Sequence, residues 1–149
     1  MKSFELEVLR RLLFFSPPEA SMLIGNVSEQ AWRRWEAGTR CVPDDVAVRM
    51  RRLVDWRSAA IKTALHIINA APDGAQVAPI WYASLDDWIS LAGREAELWR
   101  PQQSVVAALL SLSPERVSLV RFDGPAYATW LAGREDSETM RSCWGASVR

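Results

Sequence analysis

The chain has 149 residues, about half of them hydrophobic, and its 18 basic and 18 acidic side chains give a net charge of zero. A chain of this size can bury a core as one domain or two small ones, while its two cysteines, Cys41 and Cys143, are too few for a disulfide framework or a zinc site. No apolar run approaches the roughly 20 residues of a membrane helix and no signal peptide is recognisable, so we expect a cytoplasmic protein without membrane contact.

A first amphipathic helix is predicted after Ser3, which we expect to cap it. Apolar residues recur along it at helical spacing, which predicts one buried stripe, Leu6, Leu9 and Leu13, widened by Phe4, Val8 and Leu12. This helix is expected to brace the two helices that follow it.

Two short helices joined by a tight turn are predicted between residues 16 and 38. Ser16 and Glu19 form a capping box around Pro17, which predicts the start of the first, and Met22 and Ile24 are expected to face the interior. The turn is Gly25-Asn26-Val27. Ser28 is a second N-cap, and Trp32 and Trp35, three residues apart, are expected to face the core. This is the pattern of a helix-turn-helix.

The polar side chains of the second helix are left facing outward. Gln can pair with adenine N6 and N7, and Arg with guanine O6 and N7, so the helix suits a DNA major groove. The predicted base contacts are Glu29, Gln30 and Arg33. The predicted phosphate contacts are Ser28, Arg34, Thr39 and Arg40. Residues 1–60 carry ten basic and eight acidic side chains, a small surplus of the sign expected for a half that contacts DNA.

A long helix is predicted from Pro43, with Asp44 and Asp45 near its positive end, to the turn at residues 71–74. It carries two apolar faces, which implies two packing partners. Beyond it we predict strands at residues 77–82 and 117–122, paired antiparallel. Helices are predicted after Ser84, from Pro101 with Val105, Val106, Leu109 and Leu110 buried, and after Asp123. Residues from Arg134 are expected to form a frayed tail, with Trp144 as a possible anchor.

The predicted fold is therefore mainly α: an N-terminal helix-turn-helix bundle of the five-helix type, then a small α+β dimerisation module with a two-stranded antiparallel sheet. The expected boundaries are residues 1–70 for the DNA-binding domain, 71–133 for the dimerisation domain and 134–149 for a polar tail. Two strands alone are barely stable in water, so helices or a partner subunit must cover them.

Other functions suggested by the sequence are weaker. Eight tryptophans could stack on bases, but their spacing favours the core. His66, the only histidine, has no acidic, Ser or Cys partner at the spacing of a relay or metal site, so we expect neither enzyme activity nor a cofactor or metal. The main alternative is an antitoxin-like interaction module whose C-terminal half binds a protein partner, with DNA binding secondary.

Several motifs resemble known families. The spacing Ser-x-x-x-Trp-x-x-Trp-Glu-x-Gly from Ser28, followed by Val-Pro, is similar to the Cro/C1-type helix-turn-helix of phage and bacterial repressors, except that Asn26 is an additional residue in the turn. Three segments, at residues 19–28, 42–46 and 99–105, resemble the anti-CRISPR-associated autorepressors and the related YdiL-like proteins; beyond about Asp123 no counterpart is recognised.

This resemblance implies an N-terminal helix-turn-helix joined to a C-terminal dimerisation domain. It further implies a homodimeric transcriptional repressor that binds a palindromic operator in double-stranded DNA and controls its own operon. In the anti-CRISPR-associated relatives it also implies binding of messenger RNA.

Overall fold

The computed structural model describes residues 1–148, and the predicted tail extends one residue beyond them. Four helices and a π-helical segment fill the N-terminal part of these residues: α1 Ser3–Leu12, α2 Pro17–Ala20, the π-helical segment Ser21–Gly25, α3 Glu29–Glu36 and α4 Asp44–Ala70. In the remaining part the order is β1 Ile80–Trp81, α5 Leu85–Ile89, the 3-10 turn Ala96–Leu98, α6 Trp99–Leu112, β2 Val120–Arg121, α7 Gly124–Leu131 and α8 Glu138–Ser147. Helices dominate this mainly α architecture, as predicted.

Three buried clusters support these elements. The first joins α1, α2, α3 and the start of α4 around Trp32, Met50 and Leu53. The second, in the C-terminal part, gathers the aromatic side chains Tyr82, Trp88, Trp99, Phe122, Tyr127 and Trp144. Between them, Ile68 of α4 packs against Val105 and Leu109 of α6. Helix α4 therefore contributes to a core at each of its ends, through the residues of one apolar face. The second predicted face is wrong in part, because Val48 and Ile67 are exposed.

The prediction of an antiparallel sheet is wrong, because β1 and β2 are parallel. Ile80 pairs with Val120 and Trp81 with Arg121 in parallel, and a single parallel bridge joins Val77 to Val117. Alternating apolar residues identify a strand but carry no information about its direction. Here α5 and α6 lie between the strands, and such a helical crossover returns the chain to the same end of the sheet, whereas antiparallel neighbours can be joined by a short hairpin.

Several predicted core residues are exposed instead. Phe4, Val8 and Leu12 of α1 are exposed. Met22 of the π-helical segment and Leu110 of α6 are exposed as well. The predicted stripes were too wide, because a helix that contacts the core along one line leaves the flanking apolar residues in solvent. Helix α6 also begins at Trp99 rather than at Pro101, which lies within its first turn.

The C-terminal segment is not frayed. Ser137 caps α8, and Trp144 is buried between Phe122 and Tyr127, with ring centroids 5.7 and 5.6 Å away. Arg141 is also buried and donates to Asp136 and Glu138. Burial, together with the hydrogen bond that Tyr127 donates to Asp136, raises the pKa of Tyr127 to about 12. The sequence pattern missed this helix because it has little apolar periodicity.

Candidate nucleic-acid interface

Helix α3 is anchored by its two tryptophans. Trp32 is fully buried and Trp35 is 8% exposed, and their rings meet edge to face with centroids 5.6 Å apart. The helix begins at Ser28, whose Oγ accepts the backbone N–H of Ala31 at 3.3 Å, as the N-cap prediction requires. Because both indoles point inward, the opposite side of α3 faces solvent.

The predicted contact residues lie on that open side or beside it. Gln30, Arg33 and Arg34 are exposed on α3, and Glu29 is half-buried in its first turn. Ser28 is exposed just before the helix, whereas Thr39 and Arg40 are exposed just after it. The structure thus brings all seven side chains to one short helix and its two ends.

Glu29 and Arg33 form an ion pair one helical turn apart. Arg33 Nε donates to Glu29 Oε1 at 2.8 Å, and both side chains remain accessible, with 62% of the Arg33 side chain exposed. An exposed pair of this kind contributes little to stability, so it can open or reorient at small cost when another acceptor approaches.

The residues that end α3 have fewer free donors than the sequence suggests. Arg34 O accepts the backbone N–H groups of Thr39 and Arg40, and it also accepts the Thr39 hydroxyl at 3.2 Å. These bonds satisfy the end of the helix. The charged side chains of Arg34 and Arg40, rather than the Thr39 hydroxyl, are therefore the groups available to an anion there.

A buried ion pair holds α3 against α1 and was not found by sequence reasoning. Arg10 Nε donates to Glu36 Oε1 at 2.6 Å, and Trp32 Nε1 donates to the same oxygen at 2.7 Å. Arg10 also donates to the carbonyl of Phe15. A charged residue on the buried side of the α1 stripe was the available signal, but its partner lies 26 residues away.

The turn before α3 leaves no room for a side chain at Gly25. A Cβ there would lie 3.0 Å from Val27 and 3.1 Å from the ring of Trp32. Asn26, the additional residue of the turn, adopts left-handed backbone geometry, and the N–H of Val27 reaches back to Ser21 O. The wider π-helical turn thus accommodates one more residue without moving Trp32 out of the core.

No helix within residues 1–148 has the combination of length and apolar character needed to cross a membrane. Residues 1–118 match the sequence profile of the family described as Aca2/YdiL-like. The chain is also 34% identical over 108 residues to the Aca2 repressor of Pectobacterium phage ZF40. The aligned residues cover 72% of this chain and 90% of that protein. The family match, residues 1–118, includes α1 to α6 and ends before β2, so α7 and α8 lie outside it. The resemblance to the anti-CRISPR-associated autorepressors and YdiL-like proteins is therefore confirmed, and the chain belongs to the Aca2/YdiL-like family.

Proposed function

We propose that this protein is a transcriptional repressor that binds a palindromic operator in double-stranded DNA as a homodimer. The observation that carries the proposal is the exposed polar face of α3, which is fixed from behind by the buried Trp32 and Trp35. The name of the phage relative, a repressor, supports the same class of function.

In the proposed complex α3 enters the major groove as the second helix of a helix-turn-helix. Gln30 and Arg33 contact base edges, and Glu29, paired with Arg33, completes the base-contacting set. Ser28 contacts a phosphate at the N-terminal end of α3, where backbone N–H groups and the helix dipole favour an anion. Arg34 and Arg40 contact phosphates at the other end, whereas the predicted contact Thr39 has its hydroxyl bound to Arg34 O and could join them only by releasing that bond. Two such helices related by a dimer axis would occupy half-sites about 34 Å apart, or a multiple of that distance.

The C-terminal half offers a surface for the second subunit. Leu110, Leu112 and Leu119 are exposed there, and a groove of about 440 Å³ lies between Trp81, Ala107, Leu110, Leu119 and Arg121. Exposed apolar side chains grouped in this way favour association. A dimer bound over the promoter would repress transcription by occluding polymerase. We propose that it acts in the cytoplasm and on the protein's own operon. Messenger RNA remains a second possible ligand, predicted only from the resemblance.

Exposed apolar side chains also lie on the N-terminal half. Phe4, Val8 and Val48 are each more than half exposed, which favours a protein partner there. The antitoxin-like alternative places its partner on the C-terminal half instead, where Leu110, Leu112 and Leu119 are exposed. Purification of the native complex distinguishes the two proposals: a lone dimer supports the repressor, whereas a stoichiometric protein partner without DNA binding supports the alternative.

The proposal is tested by selecting bound DNA from a random pool and then measuring the affinity of variants for the selected site. Arg33→Ala should lose about 1 to 3 kcal/mol and relax the preference at one base position. The matched variant Arg40→Ala should weaken binding to all sequences similarly and reduce the salt dependence. Failure to select any DNA would refute the proposal, and parental affinity in both variants would refute the assigned contact face.

A further inference from the structure

Two polar links join the C-terminal half to the helix pair. The first helix of this pair is α2 with the π-helical segment, and the second is α3. In the first link, Arg100 of α6 donates to Glu19 of α2 through Nε at 3.0 Å and Nη2 at 2.6 Å. Both side chains are largely buried, at 27% and 20% exposure. Glu19 uses its other oxygen to accept the backbone N–H of Ser16, so one carboxylate caps α2 and also attaches it to α6.

The second link runs through Arg49 of α4. Its guanidinium donates to the carbonyls of Ile24, at 2.6 Å, and of Leu23, at the end of the π-helical segment. The same guanidinium donates to Glu97 of the 3-10 turn at 2.8 Å. Glu97 is buried and is also paired with Arg52. The two links thus hold opposite ends of the segment that precedes α3.

The first link continues into the C-terminal half. Arg100 donates to Gln103 Oε1 at 2.7 Å, and Gln103 in turn donates to the carbonyl of Tyr82 at the end of β1. Burial alone would raise the pKa of Glu19, but hydrogen bonds from Arg100 and Ser16 outweigh it and hold this pKa below its usual value. The carboxylate is therefore charged at neutral pH, as the link requires.

Packing along α4 agrees with these links. Ile68 of α4 shares a buried cluster with Val105 and Leu109 of α6, and Arg57 donates to Ser104 at 2.9 Å. A helix attached to its neighbours at several points along its length is not a flexible tether. The orientation of the helix pair relative to the C-terminal half is thus set by direct contacts.

We propose that Arg100 and Arg49 are positioning residues that lock the helix pair to the C-terminal half and thereby fix the spacing of operator half-sites. The inference rests on the proposed function, since it requires a dimer joined through the C-terminal half and α3 in the major groove. One added base pair moves a half-site by about 3.4 Å and rotates it by about 35°. A flexible connection would absorb that change, whereas a locked one would lose contacts in one half-site.

The test compares affinities for the selected operator and for versions with one base pair inserted or removed at its centre. The parent should lose about tenfold or more on the altered operators, whereas Arg49→Gln with Arg100→Gln should lose less than about threefold between spacings. In this variant Glu97 keeps Arg52 and Glu19 keeps its bond to Ser16, so neither carboxylate is left without a partner. Arg11→Gln, which breaks an exposed pair within α1, is the control for loss of a positive charge and should retain the parental spacing preference.

A measurement without DNA tests the coupling between the helix pair and the C-terminal half separately from the proposed function. By calorimetry the parent should unfold in one transition. In the double variant the two links are lost while the packing of α4 on α6 and the Arg57–Ser104 bond still couple the halves, so the transition should broaden or split. Circular dichroism and the single variants establish that the helices remain folded. If the parent binds no DNA, the proposed function fails and calorimetry alone decides the coupling. The inference is wrong if the parent binds the altered operators as tightly as the selected one. It is also wrong if the double variant loses as much affinity on the altered operators as the parent does and unfolds in the same single transition.

Discussion

At the scale of single residues, Glu36 connects the interior of the protein to its proposed contact face. Its carboxylate accepts from Arg10 of α1 and from Trp32 of the same helix. The Arg10 and Glu36 side chains are only 8% and 12% exposed, so water cannot replace either partner fully. The orientation of α3 about its own axis therefore depends on this carboxylate as well as on the buried indoles.

Replacing Glu36 by Ala should destabilise the protein strongly. The change leaves the Arg10 charge buried without its counter-ion, and such losses cost about 3 to 5 kcal/mol. The free energy of unfolding measured in urea would show the loss. Glu7→Ala is the matched control, since it removes the exposed ion pair of Glu7 with Arg11 in α1, the helix that carries Arg10. This change should cost about 0.5 kcal/mol or less. Equal effects of the two changes would contradict this account.

Residue-level features that depend on near neighbours could be predicted from the sequence. The caps at Ser16, Ser28 and Ser84 are found where predicted, because each involves a side chain and a backbone group three residues apart. The predicted cap Ser3 is wrong, since Ser3 is the first residue of α1 and Lys2 holds the cap position. The pairs of Arg10 with Glu36 and of Arg100 with Glu19 join residues distant in sequence. The place of Arg10 on the buried side of α1 is a local signal, but nothing local identifies the partner of either arginine, so only the fold reveals the pairs.

At the scale of elements, α8 shows where apolar periodicity is a poor guide. One large side chain, Trp144, fills a site between Phe122 and Tyr127, and the rest of the helix is mostly exposed. Gly145 brings the α8 backbone close to the chain before β1, since a Cβ there would lie 3.1 Å from the carbonyl of Ala78. A helix held by one indole, the buried Arg141 and one close approach has no apolar stripe for sequence analysis to detect.

Trp144→Ala should therefore destabilise the C-terminal half although the residue lies outside the family match. Loss of a buried indole costs about 3 to 5 kcal/mol, and the measurement is urea unfolding followed by circular dichroism. Val148→Ala, at an exposed position just after the same helix, should change stability by less than about 0.5 kcal/mol. A near-neutral Trp144 variant would show that α8 does not contribute to the core.

Helix existence was easier to predict than strand direction. Proline, glycine and capping residues mark the helix ends in the sequence, and α4 and α7 begin at the predicted sites. The direction of β2 depends instead on the path of the chain through α5 and α6. That path is decided by packing of α6 on α4 and β1, which involves residues too far apart for pattern analysis.

At the scale of the whole molecule, the proposed dimer predicts which substitution separates the subunits. Leu119→Glu should give a monomer, because it places a charge in the apolar groove beside β2. Light scattering coupled to size-exclusion chromatography measures the mass. Phe4→Glu changes an exposed apolar position on α1 and should leave a dimer, although Phe4 is 61% exposed and Leu119 only 38%. If Phe4→Glu is the variant that dissociates, the subunits associate through the N-terminal half instead.

The parallel pairing of β1 with β2 also affects the order in which the chain can fold. These strands meet only after α5 and α6 have been made, and such non-local pairings form slowly. The core around Trp32, in contrast, draws chiefly on residues up to Leu53. During synthesis the N-terminal bundle can therefore be packed while the second half is still incomplete. Newly made chains would first meet one another with α3 already in place and the surface for self-association not yet assembled.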